Sequence, residues 1–225
     1  AQPSSLENAA SGIEQLFLQA EIPAHLAEPI QRAYAGLPGT NPAVAVRSSA
    51  TAEDLPEASF AGQQETYLNI QGAEAVFAAV RKCWASLWTA RAIAYRLRQG
   101  IAPESVALAV VVQLLIPAEA AGILFTANPI SGKRNEIVIN AAWGLGEAVV
   151  GGAVSPDTIT IEKATGRILA RQTAEKLVMT VRTAFGTEGQ PVPDARKSEP
   201  ALDDAQAAEL AHYGEQIEAL YGTPM

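Results

Sequence analysis

Apolar positions recur at helical spacing in SGIEQLFLQA and again in AEPIQRAYAGL, with Glu21-Ile22-Pro23-Ala24 between them and Gly36-Leu37-Pro38-Gly39 after them. Two helices joined by a turn are predicted. Ala43-Val44-Ala45-Val46-Arg47 then reads as a short strand, and Thr66-Tyr67-Leu68-Asn69-Ile70 as the next, with a loop rich in Ser, Thr, Glu and Asp between them. From Gly72 to about Arg98 the residues Val76, Val80, Trp84, Leu87, Trp88, Ile93 and Leu97 recur at threes and fours, predicting one or two amphipathic helices. Val106 to Ile116 is β-branched and apolar enough for a central strand buried on both faces. Further strands are predicted at Ala121 to Thr126, Glu136 to Ala141 and Asp157 to Glu162, the last paired with Arg167 to Arg171 across Ala164-Thr165-Gly166. Gly186 to Pro200 is polar and Pro-rich and reads as a surface loop, and Asp203 to Tyr221 as a closing helix capped by Asp203 or its neighbour.

Helices and strands without regular β-α-β alternation indicate an α+β fold with mixed or antiparallel sheets, in two lobes spanning residues 1–118 and 119–225. The chain has 225 residues, 48% of them hydrophobic and 18% charged, which suffices for a sizeable core. A formal charge of -8 argues against a nucleic-acid or anionic-membrane surface, so any basic site must be local. No apolar run reaches the length of a spanning helix and no basic-then-apolar leader opens the chain, which reads as cytoplasmic. The single cysteine, Cys83, sits on an apolar helix face and is expected to be structural. The first residue is not Met and the last five, Tyr221-Gly222-Thr223-Pro224-Met225, are turn-like, so the expectation is a piece of a longer protein.

The stretch richest in chemistry is VRSSATAEDLP followed by ASFAGQQET. Arg47 at a strand end, beside hydroxyls and backbone amides, offers the forked cationic donors that a polyphosphate needs. The alternative is a polar connection in which Arg47 pairs with Glu53 or Asp54. Gly144-Leu145-Gly146-Glu147 lacks the full spacing of a phosphate loop, and glycines that permit a tight turn account for it equally well. The default for Trp84, Trp88 and Trp143 is core packing, and His25 and His212 stand alone, without the company of a general base or metal cluster.

VRSSATAEDLPEASFAGQQETYLNI resembles the signature of the nucleotide-binding, ATP-grasp domain shared by phosphoenolpyruvate synthases, pyruvate phosphate dikinases and rifampicin phosphotransferases. A second block, GILFTANPISGKRNEIVINAAWGLGEAVVGGAVSPDTITIEK, is similar to the same family, and so is the ending YGTPM. The resemblance implies that Arg47 contacts ATP phosphates and that Thr66 lies near the nucleotide. It implies that Gln113 sits close to the adenine, with backbone groups of Leu114, Leu115 and Ile116 reading the base edge, and that Glu147 is a secondary polar contact. Arg47 is the residue it makes catalytic.

The same resemblance implies an incomplete ATP-grasp domain, because the family's Lys-bearing amino-terminal segment and its metal-holding strands have no counterpart in these residues. ATP and Mg²⁺ would be the cofactors, with most magnesium ligands outside this chain. The implied reaction phosphorylates a histidine on a mobile carrier domain, releasing the other distal phosphate, and then passes the phosphoryl group to pyruvate on an acceptor domain. These two domains of the parent protein are the implied partners. A rifampicin phosphotransferase and a non-catalytic nucleotide-binding module are the alternatives. Alone, the chain is expected to fold without turning over ATP and to self-associate through exposed sheet edges.

Overall fold

The structure is a computed structural model that describes residues 3–50, 54, 55, 58, 59, 65–102 and 105–225. In chain order it has α1 (Pro3–Gln19), α2 (Ala24–Ala35), β1 (Val44–Ala50), the two-residue strands β2 (Asp54–Leu55) and β3 (Ala58–Ser59), β4 (Thr66–Ile70), α3 (Ala73–Ser86), α4 (Ala90–Gln99) and β5 (Leu108–Leu114). There follow β6 (Ala120–Phe125), β7 (Glu136–Trp143), α5 (Glu147–Val150), β8 (Asp157–Glu162), β9 (Ile168–Gln172), β10 (Val178–Arg182), β11 (Thr187–Pro191) and α6 (Asp204–Tyr221). The chain divides into two units, residues 1–116 with 184–186 and residues 117–183 with 187–225. The class is α+β with antiparallel sheets, as the sequence indicates.

In the first unit β1 lies between β4 and β5 and runs antiparallel to both. Alternation sends Val44 and Val46 of β1 inward, where they join Val76, Ala79, Val80 and Cys83 of α3 in a core flanked by Tyr67, Val110 and Val112. Tyr34 at the end of α2 secures the entry to β1: its hydroxyl donates to the Pro42 carbonyl at 2.8 Å and accepts from the Gly72 N–H at 2.8 Å. Burial pushes the Cys83 thiol up to about 12, with the nearby charge of Glu65 adding to the effect, so it is an inert packing residue.

The expectation of a β5 buried on both faces is wrong. Its residues alternate between half-buried and exposed, and Val111 is 48% exposed. The inner residues Val110 and Val112 meet the core, whereas Ala109, Val111 and Gln113 lie on the outer side of a sheet with one packed face.

The second unit is built on the antiparallel sheet β6-β7-β8-β9, with β7 and β8 inside. Ile137, Ile139, Ala141 and Trp143 of β7 and Ile159 and Ile161 of β8 form its core with Ala207 and Ala211 of α6. The small residues of α6 allow close approach: a side chain at Gly214 would lie 2.7 Å from a Leu124 methyl. Asp203 caps α6 by accepting from the Gln206 N–H at 2.8 Å, while the Gln206 side chain accepts from the Asp203 N–H at 2.9 Å, a reciprocal capping box.

Residues 186–200 are not the surface loop that their polarity predicts. Thr187–Pro191 pairs with Val178–Arg182 as an antiparallel hairpin, and Val192 is 2% exposed within the core. The hairpin braces the Gly144 turn, since Gly144 bridges to Thr180 and the Leu145 N–H donates to the Thr180 carbonyl at 2.8 Å. Gly144 has φ +83°, and a Cβ there would sit 2.3 Å from the Thr180 oxygen. Gly144→Ala should therefore destabilise the chain by about 1–3 kcal/mol through forced overpacking. Gly152→Ala, at φ +67° but with nothing within 4 Å, should cost visibly less. Urea unfolding of both variants separates the clash from the backbone strain, and equal losses would mean that the Thr180 contact is immaterial.

Candidate functional site

Register assembles the first unit's candidate residues. Arg47 pairs directly with Thr66 across β1 and β4, and with Val111 across β1 and β5, so these three side chains share one face. Gln113 is two residues beyond Val111 on that same outer face, opposite Ala45. Arg47 and Gln113 are exposed and Thr66 is half-buried. Strand pairing thus brings together an arginine, a hydroxyl and an amide that lie far apart in the chain. Among the described residues, no hydrogen bond or ion pair occupies the Arg47 guanidinium. Its alternative partners, Glu53 and the Asp54 side chain, lie outside the described residues.

Ser48, a neighbouring hydroxyl, is spent on structure. The Ser48 N–H donates to the Glu65 carbonyl at 3.1 Å, and its buried Oγ accepts from the Glu65 N–H at 3.0 Å. This clamp fixes both ends of the connection between β1 and β4, and with them the Arg47–Thr66 pairing. Tyr67, next to Thr66, points to the inner face opposite Val46, where burial first and Glu65 second push its phenol up to about 12. The inner face also has a cavity of about 310 Å³ lined by Ile30, Ala33, Tyr34, Leu37, Val110 and Val112. Its walls are mostly aliphatic, so the polar chemistry of this sheet belongs to the outer face.

At the end of β5, Leu114 pairs with Val44, and the Leu115 N–H donates to the Ala43 carbonyl at 2.9 Å. Of the three backbone positions expected to read a base, Leu115 has thus already committed its donor to the sheet. Ile116 is 63% exposed, and among the described residues its N–H meets no backbone acceptor. Pro117, which has no N–H, follows it and opens the second unit.

Glu147 belongs to that second unit. It begins the single-turn α5, and its exposed carboxylate accepts from the Thr187 hydroxyl at 3.0 Å. A cavity of about 190 Å³ beside it in sequence is lined by Pro117, Ala118, Gly144, Leu145, Thr180, Val181 and Arg182. Within this unit the most buried polar assembly is one that sequence reading missed. Lys176 Nζ donates to Asp157 at 2.6 Å with both side chains fully buried, and Asp157 also accepts from the Ala174 and Ala201 N–H groups. Periodicity carries no signal for such a pair, because Lys176 lies in an irregular connection.

Among the described residues no group of three or more His, Cys, Asp or Glu stands together in a way that would hold a metal. The described residues do not by themselves fit a magnesium site. His212 is exposed and shares a 2.8 Å hydrogen bond with Gln216, within its own helix. No helix among the described residues is long and apolar enough to cross a membrane.

The family model described as "Pyruvate phosphate dikinase, AMP/ATP-binding domain" matches residues 1–225. A probable phosphoenolpyruvate synthase of Methanocaldococcus jannaschii is 52% identical over 98% of this chain and 19% of its own length. That of Pyrococcus abyssi is 49% identical over 94% of this chain and 27% of its own length. A rifampicin phosphotransferase of Streptomyces sviceus is 48% identical over 90% of this chain and 23% of its own length. The chain therefore spans about a quarter or less of the length of these relatives.

Proposed function

We propose that this chain, which belongs to the pyruvate phosphate dikinase AMP/ATP-binding domain family, is the ATP-binding region of a dikinase that makes phosphoenolpyruvate from pyruvate. The observation that carries the reading is the gathering of Arg47, Thr66 and Gln113 on the outer face of the β4-β1-β5 sheet, with the Arg47 guanidinium unspent among the described residues. Arg47 holds the nucleotide phosphates through charge-assisted hydrogen bonds, and Thr66 donates its hydroxyl beside it. The Gln113 amide meets the adenine, and the Ile116 N–H at the strand end serves the base edge. Both units are read as parts of one ATP-grasp domain. Magnesium, when bound, would neutralise phosphate charge. The phosphoryl group then passes to a carrier histidine and on to the acceptor in other domains of the parent protein.

Base selectivity tests the reading. Gln113→Leu should erase most of the preference for ATP over GTP in competition binding and leave the melting temperature nearly unchanged, because the side chain is exposed. An unaltered ATP/GTP ratio in the variant would remove Gln113 from the site. A rifampicin acceptor is the second reading, favoured by the 48% identity to the Streptomyces enzyme. Offering the parent protein pyruvate or rifampicin with ATP, and identifying the phosphorylated product, separates the two.

The strands β6 and β9 bound the second sheet, and exposed backbone at such margins recruits other chains. Association of the 225-residue chain is accordingly expected to rise with concentration in sedimentation velocity. A monomer at all concentrations would show that these edges are covered.

A further inference from the structure

Among the described residues two cations are buried, Lys176 and Arg96, and they differ in how their donors are used. Lys176 is fully buried and engages both Asp157 and the Ala174 carbonyl. Arg96, on the buried face of α4 with Ala92, is only 4% exposed, yet among the described residues its Nη1 has no hydrogen-bond partner. Its guanidinium instead lies over the Trp88 ring, with the central carbon 5.3 Å from the ring centroid. Burial lowers the affinity of Arg96 for its proton, but a guanidinium stays charged at any physiological pH. A charged group withdrawn from water with a donor left over is costly, and native structures rarely keep one without a purpose. The surrounding sequence sharpens the anomaly: residues 73–99 carry Arg81, Lys82, Arg91, Arg96 and Arg98 against Glu74 alone, in a chain whose net charge is -8. Arg81 on α3 likewise has a buried Nε without a partner.

We propose that Arg96 is the principal donor of a second anion site in the first unit, one that takes a phosphoryl oxyanion. A guanidinium fork suits such a group better than a point charge does, because two N–H bonds can meet two oxygens at once. No carboxylate among the described residues forms an ion pair with it. Rotation about the terminal torsions of Arg96 turns its fork from the Trp88 face toward the incoming anion, so the ring reports occupancy. The oxyanion is carried either by the nucleotide, in which case the site rests on the reading above, or by free pyrophosphate or orthophosphate.

The test is calorimetric titration of the wild-type chain, Arg96→Met and Arg96→Lys with ATP, adenosine and pyrophosphate, while tryptophan fluorescence is followed in parallel. Arg96→Met should weaken ATP binding by about ten- to a hundredfold, the loss of one charge-assisted hydrogen bond, and leave adenosine unaffected. Arg96→Lys should recover part of that loss. Pyrophosphate that binds the wild type and changes its fluorescence, but not that of Trp88→Phe, identifies a free anion as the ligand. A response to ATP alone identifies the nucleotide. Wild-type affinity for both ligands in both variants would overturn the proposal. Should Arg96→Met fail to fold, the wild-type fluorescence decides, since no phosphate-dependent change from Trp88 also overturns it. A wild-type chain that binds pyrophosphate but not ATP would sink the nucleotide reading and leave this site standing.

Discussion

Asp157→Ala is expected to be the most damaging single substitution outside the hydrophobic core, lowering stability by about 3–5 kcal/mol, the cost of leaving a buried partner charge uncompensated. In a chain of this size that corresponds to a fall of roughly 6–20 °C in melting temperature. Asp157 opens β8, and its two oxygens collect Lys176 Nζ, the Ala174 N–H and the Ala201 N–H. Truncation orphans the two N–H groups and leaves the Lys176 charge with the Ala174 carbonyl but no counter-ion, in a place that water does not reach. The connection from β9 to β10 and the approach to α6 are both tied to this one carboxylate, so the Thr180 brace under the Gly144 turn should loosen with it. Replacing both partners with apolar residues, as in Asp157→Leu with Lys176→Met, should recover a large part of the loss, because the attraction of a buried pair is largely offset by its desolvation. Urea denaturation of the single and double variants gives the answer. A single variant that unfolds at the wild-type midpoint would show that the pair is solvated and dispensable.

What could be read from the chain, and what could not, divides on physical lines. β8 begins and ends where its alternation does, β4 coincides with the run Thr66 to Ile70, and the α6 cap is visible because Asp203 and Gln206 stand three residues apart before an apolar repeat. β5 was misjudged because Ala109 and Val111 on its outer face are apolar too, so the alternation of burial is hidden in an unbroken aliphatic run. The β10-β11 hairpin was invisible for the opposite reason. Gly189, Gln190 and Pro191 have weak strand preference, and pairing with β10 rather than side-chain burial holds them in place. Arg47, Thr66 and Gln113 could be named from resemblance, but their shared face follows from a register that no single stretch encodes. The occupied Leu115 N–H is of the same kind, since its acceptor, Ala43, belongs to the segment that leads into β1.

Arg47→Ala should weaken ATP binding by about 1.5–3 kcal/mol, roughly a ten- to hundredfold rise in Kd, while leaving the fold almost untouched. The asymmetry follows from position. Its neighbours Val46 and Ser48 on β1 face inward and carry the packing and the Glu65 clamp, whereas Arg47 points outward and, among the described residues, bonds to nothing within the chain. Removing it therefore deletes a ligand contact without creating a cavity or orphaning a buried group. Adenosine, which has no phosphate, should bind the variant and the wild type alike, and the deficit with ATP should shrink as ionic strength rises because an exposed cation is screened. Arg47→Lys should restore charge but not the two-pronged geometry, and so fall between the two. Titration with ATP and adenosine, set beside melting curves of the same samples, tests each of these points. Unchanged ATP affinity together with a lowered melting temperature would make Arg47 a structural ion-pair residue and remove the central phosphate contact from the proposed site.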